Sequence, residues 1–343
     1  MTQTQSRPTP KAAGAKPRKA PPPAPADGAP TYTHDAGRTR VWVGDCRQQL
    51  PKVPEVAAGT VDLVFADPPF NWNRAYDQWH DAMPEQEYVD FTFDWIDICV
   101  RALRPGGSLW INIPDTWAAE IVCYLKGRLN RKPPTPMNFQ NWCIWHYRFG
   151  QNATERFINS KVHALYFIKP GARHTWNGEA VAELSDRAAI YADPRTLTKK
   201  DGMPPRMRVP LDVWYGQYWG RIQGNNKERR SYHDNQLPEV YLERVIRACS
   251  NPGNLVLDPF LGSGTTGVVA RALNRRFVGT EFSAENARLA WERVTVLGPY
   301  RKMAVDKAEV THSAIFEKRS KRPLPQAEAQ PKPRAPRTRR AKP

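Results

Sequence analysis

The feature that most constrains the fold is a short apolar strand that leads into a glycine-rich turn and then a helix. Leu255–Leu257 is apolar, and the segment 258–266 carries two glycines before a helical pattern that continues to about Asn274. A turn of this kind brings backbone N–H groups to one point and lets a nucleotide or amino-acid ligand approach the backbone closely. The segment therefore predicts an α/β fold with a ligand site at the end of a strand.

Two stretches of the chain alternate strand and helix patterns, as expected for helices packed on a mostly parallel sheet. The predicted strands are Arg40–Val43, Val61–Ala66, Ser108–Ile113, Trp142–Tyr147, His163–Ile168, Leu255–Leu257 and Arg276–Glu281. Helices are predicted over residues 84–103, 116–129, 238–250, from the glycine-rich turn to 274, and 284–296. The segment 170–235 between the two stretches has little periodicity and many aromatic and basic residues.

The second informative motif is Asp67-Pro68-Pro69-Phe70, which directly follows the strand Val61–Ala66. The prolines fix φ and have no N–H, so this backbone leaves the sheet and can present carbonyl groups outward. The Asp67 carboxylate and the Pro68 carbonyl can accept both hydrogens of an exocyclic base amine, whose lone pair is otherwise delocalised into the ring. The Phe70 ring can stack on the base. A rigid turn without a ligand is the simpler reading of this motif taken alone.

An acid at the next strand end supports a nucleoside ligand, because Glu281 lies 23 residues beyond Asp258 and can accept hydrogen bonds from a ribose diol. The glycines also satisfy the G-x-G-x-x-G pattern of nicotinamide-binding folds. However, Asp258 precedes them, and this carboxylate would repel a pyrophosphate but suits the ammonium of a methionine moiety. An oxidoreductase remains an alternative, as does a tight turn that binds nothing.

Together the two motifs resemble those of the DNA amino-methyltransferases, in the permuted group whose catalytic D-P-P-[YF] motif precedes the cofactor motif. Asp67-Pro68-Pro69-Phe70 matches the former, and the segment 258–266 matches the latter. Gly44-Asp45-Cys46 resembles the family's acidic motif near the cofactor adenine, and Gln236-x-Pro238 resembles the start of its helix beside the methionine end. The segment 233–238 departs from the family's usual H-P-x-Q-K-P, notably at Leu237.

The resemblance, which covers about residues 40–296, implies a Rossmann-like sheet of seven mostly parallel strands, the last of them antiparallel. It implies S-adenosylmethionine as cofactor, DNA as substrate, no metal, and a target-recognition segment within residues 170–235. The catalytic residues would be Asp67, Pro68, Pro69 and Phe70. The residues predicted to bind the cofactor are Asp45, Cys46, Gln236, Asp258, Pro259, Phe260, Gly262, Ser263, Gly264, Thr265, Thr266 and Glu281.

DNA would be engaged with the target base out of the helix, because its amine is inaccessible inside a duplex. The candidate residues for the wall of the base pocket are Phe70, Trp72, Tyr76 and Trp110, although core packing is the simpler interpretation of each of them except Phe70. The candidate arginines for contacts to phosphates or guanine edges are Arg156, Arg206, Arg208, Arg221, Arg229 and Arg230, although a solvated surface position is the simpler interpretation of any single one. Asp rather than Ser at position 67 favours adenine N6 over cytosine N4. Methylation of RNA or protein, and DNA binding without catalysis, remain alternatives.

Charge is concentrated in two segments that we expect to be disordered tails, residues 1–33 and 317–343. They carry +4 and +8 of the net charge of +17, and they hold too little apolar surface to offset the entropy of ordering. The methyltransferase domain is thus expected to span 34–316. The absence of a long apolar run predicts no membrane span, and five scattered cysteines favour reduced thiols in a bacterial or phage cytoplasmic protein. A homodimer and a cognate restriction endonuclease are further possible partners.

Overall fold

A computed structural model describes residues 28–74, 79, 81–147, 153–198, 202–216, 219–233 and 235–301. Tyr76, most of the predicted N-terminal tail and the whole C-terminal tail lie outside these residues. The strands are β1 Tyr32–His34, β2 Thr39–Val43, β3 Val61–Ala66, β4 Leu103–Ile113, β5 Asn138–His146, β6 Lys161–Ile168, β7 Glu183–Leu184, β8 Met207–Arg208, β9 Val213–Trp214, β10 Leu255–Asp258 and β11 Arg276–Glu281. The α-helices are α1 Cys46–Gln49, α2 Pro54–Ala57, α3 Glu85–Ala102, α4 Asp115–Leu125, α5 Asp186–Ala189, α6 Glu239–Cys249, α7 Thr265–Ala272 and α8 Ala284–Glu292.

Nine of the described strands form one sheet in the order β1-β2-β11-β10-β3-β4-β6-β5-β9, and β7 pairs with β8 separately. The strands β2, β11, β10, β3 and β4 run parallel to one another. Strand β6 is antiparallel to both β4 and β5. This is the mostly parallel α/β sheet predicted from the sequence, so the fold class is confirmed, with all seven predicted strands present.

Two short edge strands enlarge the predicted seven-stranded sheet to nine. Strand β1 pairs with β2 through Tyr32 opposite Val41, and β9 pairs with β5 through Val213 and Trp214. The predicted end of the N-terminal tail at residue 33 is therefore a few residues too late. Neither strand has enough residues to show a two-residue alternation, which is why periodicity did not indicate them.

The centre of the sheet is covered on both faces. All six residues of β3 and all four of β10 are buried, so neither strand has a solvent-facing side. Helix α6 packs on one face, where the Tyr241 ring meets the edge of the Phe65 ring at a centroid distance of 5.6 Å. The buried strands explain the continuous apolar runs in the sequence and fix the positions of the loops that follow them.

The helix bounds follow local signals. Helix α3 has Glu85 and Glu87 in its first turn, where their charge favours the positive end of the helix dipole. Pro84 is its N-cap rather than its first helical residue. Helix α8 ends at Glu292 and continues as a π-helical turn, Arg293–Leu297, where the sequence predicts an unbroken helix to Val296. None of the described helices is long and apolar enough to cross a membrane.

The predicted target-recognition segment, residues 170–235, contributes α5, the β7–β8 ribbon and β9. Strand β9 attaches this segment to the edge of the main sheet beside β5. The segment also reaches helix α6, because the Asn177 side chain donates hydrogen bonds to the carbonyls of Arg247 and Ser250. The segment is thus anchored to the central fold at two places, while its role in target recognition stays a prediction.

Candidate active site at the carboxyl edge of the sheet

Four neighbouring parallel strands place acidic residues at one edge of the sheet. Asp67 follows β3, Asp258 ends β10, Glu281 ends β11 and Asp45 lies two residues beyond β2. In open α/β sheets, ligands bind in the crevice outside the carboxyl ends of the strands. The topology thus brings motifs from both ends of the sequence into one site.

A cavity of about 1100 Å³, including its open mouth, lies at this edge. The sequence-predicted residues that line it are Asp45, Cys46, Asp67, Pro68, Pro69, Phe70, Trp72, Arg221, Gln236, Pro259, Phe260, Gly262 and Glu281. The other predicted cofactor residues do not line it; they lie beneath the wall and are all buried: Asp258, Ser263, Gly264, Thr265 and Thr266.

The Asp67–Phe70 backbone is held by two aromatic side chains from different helices. The Tyr88 hydroxyl donates to the Pro69 carbonyl at 2.6 Å, and the Trp117 indole Nε1 donates to the Phe70 carbonyl at 3.1 Å. Because the preceding prolines already fix φ, these two bonds leave little freedom at the motif. Phe70 lies edge-on to Trp72 at a centroid distance of 5.0 Å, which forms an aromatic wall of the cavity.

Asp81 organises the loop that follows this motif. Its carboxylate accepts backbone N–H bonds from Asn71, Trp72 and Arg74 at 2.9–3.0 Å, although its side chain is almost wholly buried. Asn71 has a left-handed backbone with a φ of 58°, a conformation that asparagine tolerates better than most residues. Nothing in the sequence pattern pointed to Asp81, because its partners are backbone groups defined only by the folded loop.

Asp67 is the central titratable group of the cavity. Its Oδ1 accepts a hydrogen bond of 2.7 Å from the Asn112 side-chain amide, which comes from β4. Burial raises the pKa of Asp67 to about 7; the Asn112 bond opposes this shift and the charge of Asp258 adds to it. Asp67 is therefore poised between its charged and neutral forms near neutral pH, which is a frequent property of functional carboxyl groups.

The glycine-rich turn is tied to two acids at neighbouring strand ends. Asp258 Oδ1 accepts from the Phe260 N–H at 2.9 Å, and Glu281 Oε2 accepts from the Gly262 N–H at 2.9 Å. Burial is the main cause that raises the pKa of Asp258 to about 6 and that of Glu281 to about 7. These bonds hold the turn open toward the cavity.

A fully buried ion pair supports the turn from below. Arg293, in the π-helical turn, donates to Glu239 Oε1 at 2.9 Å, to Thr265 Oγ1 at 2.9 Å and to the Ser263 carbonyl at 3.1 Å. Both charged side chains have no exposed surface. Ser263 and Thr265 are thus engaged with the protein itself in the described structure, and the support that they receive from Arg293 had no sequence signal.

Two further predicted residues, Gln236 and Asp45, have partners within the protein, and a third, Cys46, is kept neutral by burial. The Gln236 amide donates to the Glu228 carbonyl and accepts from the Arg230 N–H, both at 2.9 Å. The Asp45 carboxylate accepts from the Arg47 backbone and side chain and thereby caps α1. Burial raises the pKa of the Cys46 thiol well above its usual range, so this thiol stays neutral. All three line the cavity, but their contacts to a cofactor stay predictions.

The six predicted DNA-contacting arginines have different surroundings. Arg221 lines the cavity, with its guanidinium 5.3 Å from the Tyr147 ring centroid and bonded to Asn235 at 3.3 Å. Arg208 pairs with Glu183 and Asp186, which satisfies its charge within the target-recognition segment. The other four are exposed or partly exposed and do not line the cavity: Arg156, Arg206, Arg229 and Arg230.

One expected member of the base pocket lies elsewhere. The Trp110 ring stacks on Tyr166 at 4.4 Å, donates to Cys249 Sγ and lines a second cavity beside α6. Trp110 therefore packs in the core, which is the simpler interpretation of this residue: it lies on the same face of β4 as Asn112 but two residues farther from the strand's carboxyl end, and only Asn112 reaches the first cavity. Trp145 and Tyr147, at the end of β5, line the cavity instead.

The chemistry of the cavity lining fits S-adenosylmethionine. Asp67 and Glu281 line it and Asp258 lies beneath its wall; all three carboxyl groups have raised pKa values, and a cation placed near them would favour their ionised forms. At Gly262, whose φ is 50°, an added Cβ would lie 2.8 Å from His233 Nε2, so glycine keeps this stretch of wall open. Phe260 and Phe282 supply flat apolar surface for an adenine ring.

Comparison with known proteins identifies the family. Residues 61–292 match the N6/N4 methylase family, which is described as DNA methylase. The type II methyltransferase M.BamHI of Bacillus amyloliquefaciens is 33% identical over 276 residues, covering 77% of this chain and 58% of that protein. DNA adenine methyltransferase YhdJ of Escherichia coli (strain K12) is 32% identical over 290 residues, covering 81% and 90%.

Solved structures agree with the fold. The PvuII DNA methyltransferase, described as cytosine-N4-specific, superimposes with a TM-score of 0.53 at 17% identity, covering 76% of this chain and 87% of that one. The M1.HpyAVI–SAM complex gives a TM-score of 0.51 at 19% identity, covering 75% and 100%. With the two motifs now placed at one sheet edge, the chain belongs to the N6/N4 DNA methylase family of S-adenosylmethionine-dependent DNA amino-methyltransferases.

Proposed function

We propose that this protein transfers a methyl group from S-adenosylmethionine to the exocyclic N6 of adenine at a specific DNA sequence. The observation that carries the proposal is the position of Asp67, whose carboxylate lies on the wall of the same cavity that the glycine-rich turn borders. A base amine and the cofactor could thus meet in one enclosed space.

The chain's own residues supply an acceptor and a rigid frame. Asp67 Oδ1 is bonded to Asn112, so we assign the other oxygen, Oδ2, and the Pro68 carbonyl as acceptors for the two amine hydrogens. Accepting both would localise the nitrogen lone pair toward the electrophile. When bound, S-adenosylmethionine supplies that electrophile as a methyl group on a sulfonium. The nitrogen–carbon bond forms as the carbon–sulfur bond breaks, and the amine loses one proton, for which Asp67 is the nearest acceptor in the proposal.

In this proposal some of the predicted cofactor residues act on the cofactor itself, and others hold the shape of the glycine-rich turn. Glu281, Asp45 and the backbone near Gly262 would hold the nucleoside, and Gln236 and the buried Asp258 would favour the methionine end. Phe260 would pack against the adenine ring. Ser263, Thr265 and Thr266 would act from beneath by holding the shape of the turn. The buried bonds of Arg293 to Ser263 and Thr265 support this division.

Adenine is proposed over cytosine on two grounds. Asp at the first position of the catalytic motif is more typical of the adenine enzymes of this family, as noted above. The relative named DNA adenine methyltransferase YhdJ matches over most of both chains. Cytosine N4 is the alternative, since the same two acceptors could bind its amine, and methylation of RNA or protein ranks below both.

DNA would enter at the open mouth of the cavity. The base would leave the duplex and lie between Phe70, Trp72 and Tyr147, and Arg221 could reach its edge or a neighbouring phosphate. Arg156 and the exposed Phe157 lie in the connection between β5 and β6, which begins after Tyr147 of the cavity wall, and could contact the DNA. Arg206, Arg229 and Arg230 remain candidate phosphate contacts, whereas the two acidic partners of Arg208 make it the weakest of the six.

Three further assignments are part of the proposal. The relatives named as type II methyltransferases make a cognate restriction endonuclease a reasonable partner. A homodimer is the simplest assembly, and size-exclusion chromatography with light scattering tests it directly. A cytoplasmic location follows from DNA as substrate, and fractionation of expressing cells tests it.

The test is nucleoside mass spectrometry of DNA treated with the purified protein and the cofactor. We expect N6-methyladenine from wild type and a loss of at least a thousandfold in rate for Asp67→Ala, with cofactor affinity largely kept, because the variant loses an acceptor used in the transition state. N4-methylcytosine without N6-methyladenine would replace the adenine assignment by the cytosine one. Wild-type turnover in Asp67→Ala would refute the catalytic role.

A further inference from the structure

A chain of hydrogen bonds joins Asp67 to helix α6 through one residue. Asn112, near the end of β4, donates from Nδ2 to Asp67 Oδ1 at 2.7 Å. Its Oδ1 accepts from the Tyr241 hydroxyl of α6 at 3.1 Å. Asn112 is 1% exposed and Tyr241 has no exposed surface. The chain is therefore shielded from water, where each bond is stronger and its loss costs more.

The orientation of the Asn112 amide is fixed by its two partners. A carboxylate can only accept, so the group that faces Asp67 must be the amide N–H₂, and the amide oxygen then faces Tyr241. The Tyr241 hydroxyl satisfies that oxygen as a donor. Burial raises the pKa of Tyr241 far above its usual range, so the hydroxyl keeps its proton. A rotated amide would place its oxygen against the carboxylate and lose both bonds.

Tyr241 is itself held by an aromatic cluster. Its ring lies 5.8 Å from Trp145, 5.2 Å from Trp214 and 5.6 Å from Phe65, measured between centroids. Trp145 lines the cavity, whereas Trp214 belongs to β9 in the predicted target-recognition segment. The hydroxyl therefore has a defined position set by three parts of the fold.

We propose that Asn112 and Tyr241 are positioning residues that orient the Asp67 carboxylate toward the target amine. This inference rests on the proposed function of Asp67. The Asn112 bond occupies Oδ1 and so directs Oδ2 to the substrate, and it favours the charged carboxylate, which is the form that can accept from the amine. Because α6 begins beside the glycine-rich turn, where Thr265 Oγ1 donates to the Leu237 carbonyl, the chain also links the two halves of the site.

Other titratable groups near these hydrogen bonds do not stabilise the charged form of Asp67. The titratable groups that act on Asp67 and Tyr241 are Asp258 on β10 and Cys143 on β5. Asp258 raises the pKa of Asp67, and burial raises the pKa of Cys143 to about 12, so the thiol stays neutral. Among the causes that set the pKa of Asp67, the Asn112 bond is the one that lowers it.

The experiment compares Asn112→Ala and Tyr241→Phe with a matched control, Tyr166→Phe. Tyr166 is also a buried tyrosine beside α6. Its hydroxyl lies 3.5 Å from Ser108 Oγ and is not part of the hydrogen-bond chain from Asp67 to Tyr241. Rates on duplex DNA are measured from pH 5.5 to 9. The Asp67 pKa is measured separately in the cofactor-free protein by carboxyl-carbon NMR, with Asp67→Asn to assign the signal.

We expect kcat to fall about ten- to hundredfold in Asn112→Ala, since a hydrogen bond to a charged group is lost. We expect a smaller fall, about three- to tenfold, in Tyr241→Phe, since that bond is one step removed. KM should stay within about twofold, and the Asp67 pKa should rise in both variants because removal of a donor disfavours the charged form. Tyr166→Phe should match wild type in every measurement.

An unchanged Asp67 pKa in both variants would overturn the proposal, as would equal effects in Tyr241→Phe and Tyr166→Phe. If Asn112→Ala does not fold, Tyr241→Phe decides alone, because it keeps the ring and removes one oxygen. The NMR titration needs no turnover. If the wild-type protein methylates no base, the proposed function fails, and the NMR result still shows whether Asn112 and Tyr241 act on Asp67.

Discussion

Opposed influences act on the carboxyl group of Asp67. Burial and the nearby Asp258 favour the neutral acid, whereas the Asn112 amide favours the carboxylate, and the pKa settles at about 7. A carboxyl on the surface would be charged at every physiological pH. At this site, the fraction of protein molecules in which Asp67 is ionised, and so can accept hydrogen bonds from an amine, changes with pH near neutrality.

This balance predicts the pH dependence of methylation. The folded pKa of Asp67 lies above its ordinary value, so the carboxylate is lost as pH falls through about 7. With the cofactor well below saturation, so that the profile reports the cofactor-free protein, we expect kcat/KM for DNA to rise about tenfold per pH unit below that value and to level off above it. Initial rates with a short duplex, measured at constant ionic strength, test this.

A second carboxyl group with a similar pKa serves as control. Burial and the charge of Glu239 raise the pKa of Glu228 to about 7, but its Oε1 accepts from the Glu239 N–H beneath the glycine-rich turn. Glu228→Gln should therefore keep the rise in rate near pH 7. Loss of the rise in this variant, or a flat profile in wild type, would assign the pH dependence to a group other than Asp67.

At the scale of single elements, the strand-to-helix turn depends on glycine for two different reasons. Gly264 caps α7 with a φ of 81°, and an added Cβ there would meet the Ala290 carbonyl at 3.1 Å, within the protein. Gly262 has a φ of 50° and faces the cavity, where an added Cβ would meet His233. The first glycine permits packing and the second keeps the ligand site open.

We predict that Gly262→Ala weakens binding of S-adenosylhomocysteine by at least tenfold, because the new methyl group crowds the wall beside His233. Isothermal titration calorimetry measures this. The control is Gly253→Ala, whose φ is 85° with no atom within 4 Å of the added Cβ. Both substitutions should lower the free energy of unfolding by about 1 kcal/mol, the cost of a positive φ. Equal affinities in the two variants would contradict this role of Gly262.

The sequence indicated the elements better than it indicated the site's supporting residues. The central strands were predicted because they are buried on both faces and read as apolar runs, as β3 does. The motif residues were found because their spacing is unusual. Asn112 and Arg293 were missed because each acts through a partner distant in sequence, and Asp81 was missed because its partners are backbone groups of the folded loop. A buried Asn or Arg has no local pattern that distinguishes it from one on the surface.

On the scale of the whole molecule, four buried or half-buried carboxyl groups have raised pKa values: Asp67, Glu228, Asp258 and Glu281. Each binds a proton more readily in the folded than in the unfolded protein. Below its pKa in the folded protein, each group is protonated, and no buried charge destabilises the fold. The free energy of unfolding therefore rises as pH falls from about 7 toward the pKa values of unperturbed carboxyl groups. Asp67 and Glu281 line the cavity and Asp258 lies beneath its wall, so the site itself reduces stability at alkaline pH.

We expect the cofactor-free protein to be more stable at pH 6.5 than at pH 8, by on the order of 2 kcal/mol. The range stops at 6.5 because burial lowers the pKa of His163, whose protonation would oppose folding at lower pH. Differential scanning fluorimetry in buffers of equal ionic strength measures the effect. Asp67→Asn should reduce the difference between the two pH values; a protein more stable at pH 8 would contradict the prediction.

The charge of the chain gives the last prediction. Residues 317–343 carry +8, nearly half of the net charge of +17, and lie outside the described structure. A basic segment that contacts phosphates releases counterions, so the logarithm of the binding constant falls with the logarithm of salt concentration in proportion to the contacts made. Removal of residues 317–343 should flatten this slope by several units while the methylated sequence stays the same, as measured by fluorescence anisotropy and sequencing.

A variant of full length with the ten Lys and Arg residues of the segment replaced by Gln separates charge from length and should give the same flattened slope. An unchanged slope in both would show that the segment does not contact DNA.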